Sequence, residues 1–437
     1  MTVNVFGAGL AGCEAAYQLA KRGINVRLYD MKPHKKTPAH SSNMLAELVC
    51  SNSLKAKRVE SAAGLLKEEM RRSDSLLVSC ADKCSVPAGG ALAVDREKFS
   101  KLVTDAIMNN KNIEFISEEV TSIPDDEISI VATGPLTSDA FSKYIADKLG
   151  DQLSFYDAAA PIVSAESVDM DHAFFESRYG KGDGDDYLNC PLNKEEYEIF
   201  YNELVNAERA PVHEFDVRDP KVYEGCMPIE VLAQRGVDTM RFGPMKPVGL
   251  RDPKTGHRPW AVLQLRKETV SGEMYNLVGF QTNLKFSEQK RVFAFIPALK
   301  NAEYHRYGVM HRNTFINSPK LLNPEFSLKE NNNIFFAGQI TGVEGYMESA
   351  ASGLLAGINA YKFANGEDTV VLPEYTMMGS LSRYISDETV KDFQPMGANF
   401  GVLPNLVDRP REKAARGAAY SARALESLDR FIKEKEI

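Results

Sequence analysis

The stretch VNVFGAGLAGCEAAYQLAKRGINVRLYD, residues 3–30, constrains the fold more than any other part of the chain. Val3, Val5 and Phe6 read as a short buried strand, and residues 10–22 carry a helical apolar pattern. Between them Gly7-Ala8-Gly9-Leu10-Ala11-Gly12 fits G-x-G-x-x-G. Gly7 permits the tight turn, Gly9 lets the backbone approach a pyrophosphate, and Gly12 lets the helix lie close on the strand. The helix start then offers amides and partial positive charge to phosphates. Asp30 follows Gly12 by 18 residues, at the end of a second strand, where a carboxylate can hold a ribose hydroxyl. Strand, glycines, helix, strand and acid in this order predict a dinucleotide site.

The far end of the chain selects the dinucleotide. NNIFFAGQITGVEGYMESAASGLLAG, residues 332–357, predicts a buried strand, a glycine-rich turn and a small-residue helix beginning near Gly345. Such a unit returning to a Rossmann core after a long insertion is the layout of FAD enzymes, and ISIVATGP, residues 128–135, resembles the segment that closes their FAD site. Gly134, Gly338, Gln339 and Glu348 join the expected cofactor set. No second G-x-G-x-x-G follows a strand, so NAD(P)H is expected to visit the flavin transiently from the substrate cleft.

A chain of 437 residues with 43% hydrophobic content can bury cores for two or three domains. Six cysteines over this length, with no signal peptide ahead of the first strand, predict a reducing, cytoplasmic setting. No apolar run approaches the roughly 20 residues of a membrane span. The formal charge of −8 is segregated: residues 165–234 carry 6 Lys+Arg against 17 Asp+Glu, and residues 235–320 carry 15 against 6. The basic segment predicts a polyanionic partner.

Several long stretches resemble one family, the bacterial folate- and FAD-dependent tRNA (uracil-5-)-methyltransferases known as TrmFO. They are ELVCSNSL (47–54), VPAGGALAVDREKFS (86–100), CPLNKEEY (190–197), YEGCMPIEVLAQRG (223–236), RFGPMKPVGLRDPKTG (241–256), NLVGFQTNLKFSEQKRVF (276–293), RYGVMHRNTFINSP (306–319) and residues 335–357. Asp30 departs from the glutamate expected there. The resemblance implies methylenetetrahydrofolate as carbon donor, reduced FAD as reductant and 5-methyluridine in the T loop of tRNA as product. A related enzyme acting on ribosomal RNA and a non-catalytic RNA-binding flavoprotein are the alternatives.

That chemistry requires a thiolate to add at uracil C6, a base to remove the C5 proton, and a hydride source beside the same carbon. Cys50 and Cys226 lie in matching segments. Lys55, Lys57 and Arg58 follow Cys50 and could lower its pKa. Cys50 is assigned as nucleophile and Cys226 as base, with the reverse open. Cys13, Cys80, Cys84 and Cys190 are expected to be packing residues, with no zinc or other metal site. Gln281, Asn283, Arg306, His311 and Asn313 are candidates for folate. Lys246, Arg251, Lys254, Arg258, Lys285, Lys290 and Arg291 are candidates for tRNA phosphates, with Tyr275, Phe280 and Phe286 as possible stacking surfaces. Protein partners are not indicated. The expected architecture is α/β: a Rossmann-type, glutathione-reductase-like FAD domain in two parts, 1–170 and 321–437, around an inserted α+β domain at 171–320. An alanine-rich amphipathic helix near the C-terminus should pack on the FAD domain.

Overall fold

The computed structural model of the chain describes every residue except 38, 151–152, 181–183, 185, 211–226, 392 and 436–437. The strand Thr2–Phe6 pairs in parallel with Asn25–Asp30 on one side and Ser129–Val131 on the other. Ile113–Ser117 and Asn331–Phe336 extend this sheet in parallel at its two flanks, and Ser327–Leu328 adds an antiparallel edge. The order places a strand from residues beyond 330 next to one from residues near 130, so the sheet closes only after the chain returns. Its central strands, Thr2–Phe6 and Ser129–Val131, are buried on both faces, as helix-covered parallel sheets require, and burial thins out toward the flanks.

The turn after the first strand obeys the glycine argument. Gly7 has φ +101°, and a Cβ on Gly12 would stand 1.7 Å from the Gly7 carbonyl oxygen. The helix Leu10–Lys21 therefore begins tight against the turn it leaves, and it packs against Tyr346–Ala364. That packing is at backbone range: a Cβ on Gly353 would lie 2.1 Å from the Ala11 carbonyl oxygen, and one on Gly357 2.8 Å from that of Ala15.

A second, antiparallel six-stranded sheet has the order 174–175, 188–192, 261–267, 274–277, 162–164, 304–306. Helices Lys194–Val205 and Phe286–Phe293 pack on it around Phe200, Phe280 and Phe293. Two antiparallel strands, Leu153–Ala158 and Met310–Phe315, link the sheets. Ile162–Ser164 thus enters the second sheet ahead of residue 170. The helix Lys413–Lys435 lies against Ala62–Arg72, burying Tyr420, Ala424 and Leu428 as its amphipathic pattern predicts. No helix among the described residues is long and apolar enough to cross a membrane.

Candidate active site

At the carboxyl ends of the parallel strands lies a cleft lined by Gly7, Gly9, Asp30, Lys32, Thr133 and Thr137. Asp30 accepts the Ala8 amide at 2.9 Å and the Lys32 amide at 2.9 Å, so the acid secures the glycine turn as well as facing the cleft. Each carboxylate oxygen keeps a lone pair for a hydroxyl. Aspartate stands here in place of the expected glutamate. Nothing stands within 4 Å of where a Cβ on Gly9 or Gly134 would be. Ala8, Leu10, Ala11 and Gly12 shape the turn and helix start, with Ala11 seated under Gly338 and Gly353.

Two members of the second unit are engaged elsewhere. Glu348, expected at the cofactor, has internal partners: its carboxylate meets Lys55 Nζ at 2.6 Å and accepts the Ala398 amide at 2.9 Å. Gln339 donates to Glu344. Gly338, at φ +85°, donates its amide to Ser352 Oγ at 2.7 Å and sets the turn.

Cys50 occupies a loop held from four sides. Arg96 donates to the Leu48 carbonyl and Arg306 to the Val49 carbonyl. The Tyr346 hydroxyl accepts the Cys50 amide at 2.7 Å and the Ser51 amide at 3.2 Å. Arg266 donates to Ser51 Oγ and Asn52 Oδ1, both at 2.8 Å, and Asn52 in turn donates to the carbonyls of Val94 and Lys267. Arg96 is placed by Asp95, which caps its helix, and by a buried ion pair with Glu268 at 3.0 Å. The cations set against the Cys50 loop are therefore Arg96, Arg266 and Arg306. This corrects the expectation for Lys55, Lys57 and Arg58: Lys55 is spent on Glu348, and Lys57 and Arg58 face solvent. Burial, with Cys50 next to it, pushes the Tyr346 phenol up.

Among the described cysteines Cys50 alone is not buried. Burial pushes the thiols of Cys13 and Cys190 upward, raises Cys80 to about 11 and raises Cys84 to about 12, so all four stay protonated near neutral pH. Cys226 lies outside the described residues.

Beside the Cys50 loop a second pocket opens between the sheets, lined by His40, Ser41, Arg96, Glu268, Phe286, Arg306 and Tyr307. His40 also lines the dinucleotide cleft, so one side chain borders both cavities. Phe286 stacks on Tyr307 at 4.7 Å between ring centroids, and Tyr307 on Tyr304 at 4.9 Å. With 55% of its surface exposed, Phe286 ends this stack with a face open to a planar ligand. Tyr275 and Phe280, expected as stacking surfaces with it, are core residues.

The folate candidates divide. Arg306 lines the pocket, although its guanidinium also secures the Cys50 loop. Asn313 is buried, with neither amide atom hydrogen-bonded, on a strand linking the sheets. Asn283 is tied into the fold: its backbone amide donates to Glu230 and its side chain to the Ala210 carbonyl. The carbonyl of Gln281 accepts the Ile229 amide, and the side chain of His311 lies outside the described residues.

The basic segment does not form one free surface. Lys285 pairs with Glu208 at 2.5 Å, and Arg291 pairs with Glu203 and Glu288. Glu203 and Glu208 come from the acidic segment, so folding sets the two against each other. Lys254 donates to the Asp171 carbonyl and Arg251 to that of Gly256. Lys246, Arg258 and Lys290 are exposed.

With this geometry in place, comparison with known proteins is decisive. A protein of Acetivibrio thermocellus named methylenetetrahydrofolate--tRNA-(uracil-5-)-methyltransferase TrmFO is 60% identical over 431 residues, covering 98% of both chains. The chain belongs to the TrmFO family. The TrmFO of Pelotomaculum thermopropionicum is 58% identical over 431 residues, again 98% of each chain. Residues 2–368 also match the broader family described as GIDA, glucose inhibited division protein A. Among solved structures, Aquifex aeolicus GidA superposes with a TM-score of 0.70 at 15% identity, covering 98% of this chain and 73% of that one, and so shares the fold. Within the TrmFO chain, Arg96 and Tyr346 sit in two of the matching stretches, yet nothing local singled them out. Arg266 lies outside those stretches altogether.

Proposed function

We propose that this chain transfers a one-carbon unit from methylenetetrahydrofolate to C5 of a uridine in the T loop of tRNA, using FAD that NAD(P)H reduces. The observation that carries this reading is Cys50: the one described cysteine that is not buried, in a loop held by Arg96 and Arg306, which also line an aromatic-walled pocket sharing His40 with the dinucleotide cleft. The cleft fits FAD. Gly7 and Gly9 give backbone access for its phosphates, and Asp30 faces its ribose. When bound, the cofactor supplies the hydride that completes the methyl group.

The chain's own groups supply the rest. Cys50 adds to uracil C6, and Arg96 and Arg306 hold the carbonyls of the two residues before it. Tyr346 and Arg266 fix the loop so that the sulfur does not swing away. Cys226 removes the C5 proton. The face of Phe286 takes the planar ring of folate or uracil, while Arg306 offers a polar contact at the pocket between the two domains, which we place at 1–170 with 321–437 and at 171–320. The cellular setting is the cytoplasm.

The reading is tested by incubating the protein with unmodified tRNA transcript, methylenetetrahydrofolate, FAD and NAD(P)H, then digesting to nucleosides. 5-Methyluridine should appear in tRNA. Its appearance only with ribosomal RNA would move the substrate, and its absence from both would reject the activity. Gly9→Asp should purify without flavin, because a carboxylate then stands against the pyrophosphate; a yellow Gly9→Asp protein would show that the phosphates lie elsewhere. Tyr346→Phe should keep flavin and lower kcat by roughly tenfold to a hundredfold, since two loop amides lose their acceptor. An unchanged kcat would remove Tyr346 from the positioning role.

A further inference from the structure

We infer that the tRNA phosphates flanking the reacting uridine are taken by a basic surface built from Lys57, Arg58, Arg409, Arg411, Lys413 and Arg416. This rests on the methyltransferase reading and names where that site holds its RNA. The two segments are far apart in sequence and the fold joins them. Ser421 Oγ donates to the Val59 carbonyl at 2.6 Å, and a Cβ on Gly417 would stand 2.2 Å from the Glu60 carbonyl oxygen, so the start of the C-terminal helix presses on residues 59–60.

Three observations favour a polyanion. First, five of the six cations are exposed and Arg416 is half-buried, and among the described residues none of them is in an ion pair. The acids in the same stretches are fewer: Glu60, Asp408 and Glu412. This differs from residues 235–320, where Lys285 and Arg291 are already neutralised. Second, Lys413 and Arg416 open a helix with no acidic residue in its first turn. Cations at the positive end of a helix dipole are unfavourable, so helix stability does not account for them. Third, the surface begins close to the site along the chain. Lys57 follows Cys50 by seven residues. The strand Ser53–Ala56 lies between them, which puts the two within roughly 24 Å by the extended-chain limit. Lys57 and Arg58 directly follow this strand, and the start of the C-terminal helix lies against the two residues after them.

The test is binding of unmodified tRNA transcript, followed by fluorescence anisotropy over a KCl series, with flavin content and circular dichroism confirming the fold of each variant. Arg409→Ala, Arg411→Ala, Lys413→Ala and Arg416→Ala combined should flatten the slope of log K against log[salt] by about 3, at roughly 0.7–0.9 for each phosphate no longer neutralised. Lys57→Ala with Arg58→Ala should flatten it by about 1.5, and Lys285→Ala with Arg291→Ala should leave it unchanged. Arg409→Lys, Arg411→Lys and Arg416→Lys combined should keep the wild-type slope, and the alanine variants of the surface should raise KM for tRNA while kcat holds. Wild-type slopes in both alanine variants of the surface overturn the surface alone. A wild-type protein that binds no tRNA overturns the methyltransferase reading and this surface with it.

Discussion

Cys50→Ala is expected to abolish formation of 5-methyluridine while leaving fold and flavin binding intact. The loop owes its shape to backbone anchors rather than to the thiol: Arg96 on Leu48, Arg306 on Val49, Tyr346 on the amides of residues 50 and 51, and Arg266 on Ser51 and Asn52. The sulfur itself makes one long contact, 3.7 Å to the Ala158 carbonyl oxygen. Truncation therefore removes little packing, and stability should change by less than about 1 kcal/mol. Activity should fall at least ~10³-fold, because no neighbouring group replaces a thiolate nucleophile. A 5-fluorouridine RNA separates the roles of the two thiols. Fluorine at C5 cannot leave as a proton, so the covalent adduct accumulates on the nucleophile. Cys50→Ala should form none and Cys226→Ala should form it. The opposite pattern exchanges their roles, and full methylation by Cys50→Ala would falsify the assignment of this thiol to the chemistry.

Gly353→Val should be among the most destabilising substitutions in the chain. Even a methyl at this position would sit 2.1 Å from the Ala11 carbonyl oxygen and 2.8 Å from its carbonyl carbon, well inside contact distance. Both atoms are backbone of the helix Leu10–Lys21, which no rotamer change can move. The two helices must separate, and the apolar packing along their seam weakens as a unit, at about 3 kcal/mol or more. Because Ala11 belongs to the glycine turn, the same displacement disturbs the cofactor cleft. Lower thermal stability and loss of flavin should therefore appear together in Gly353→Val, and in milder form in Gly353→Ala. A Gly353→Val protein that unfolds at the wild-type temperature would mean that the helix backbones do not touch.

The turn and its helix are readable because their causes are local. A tight strand-to-helix turn needs glycine at set offsets, and a helix lying on another needs small residues at helical spacing, which the sequence shows directly at Gly7, Gly12, Gly353 and Gly357. The C-terminal helix is legible from its apolar stripe for the same reason. Charge is less so. Residues 235–320 are basic as a string, but the helices Lys194–Val205 and Phe286–Phe293 bring Glu203 against Arg291, and Glu208 just past the first helix meets Lys285. Segment sums do not record which opposite charges will meet.

The environment of Cys50 marks the same boundary. Sequence proximity points to Lys55, Lys57 and Arg58, whereas the strand after Cys50 carries Lys55 to Glu348 and leaves the other two in solvent. The groups around the thiol come from residues 96, 266, 306 and 346, across separations of up to 296 positions. The order of residues is enough for the dinucleotide-binding turn, the return of the chain to the same sheet and the family, because turn chemistry, hydrophobic period and long matching stretches are properties of contiguous residues. Packing alone settles which cations surround Cys50, which acids neutralise the basic segment and which distant cations are left free beside the site, because hydrogen bonds and ion pairs form between whatever side chains the fold brings within a few ångströms.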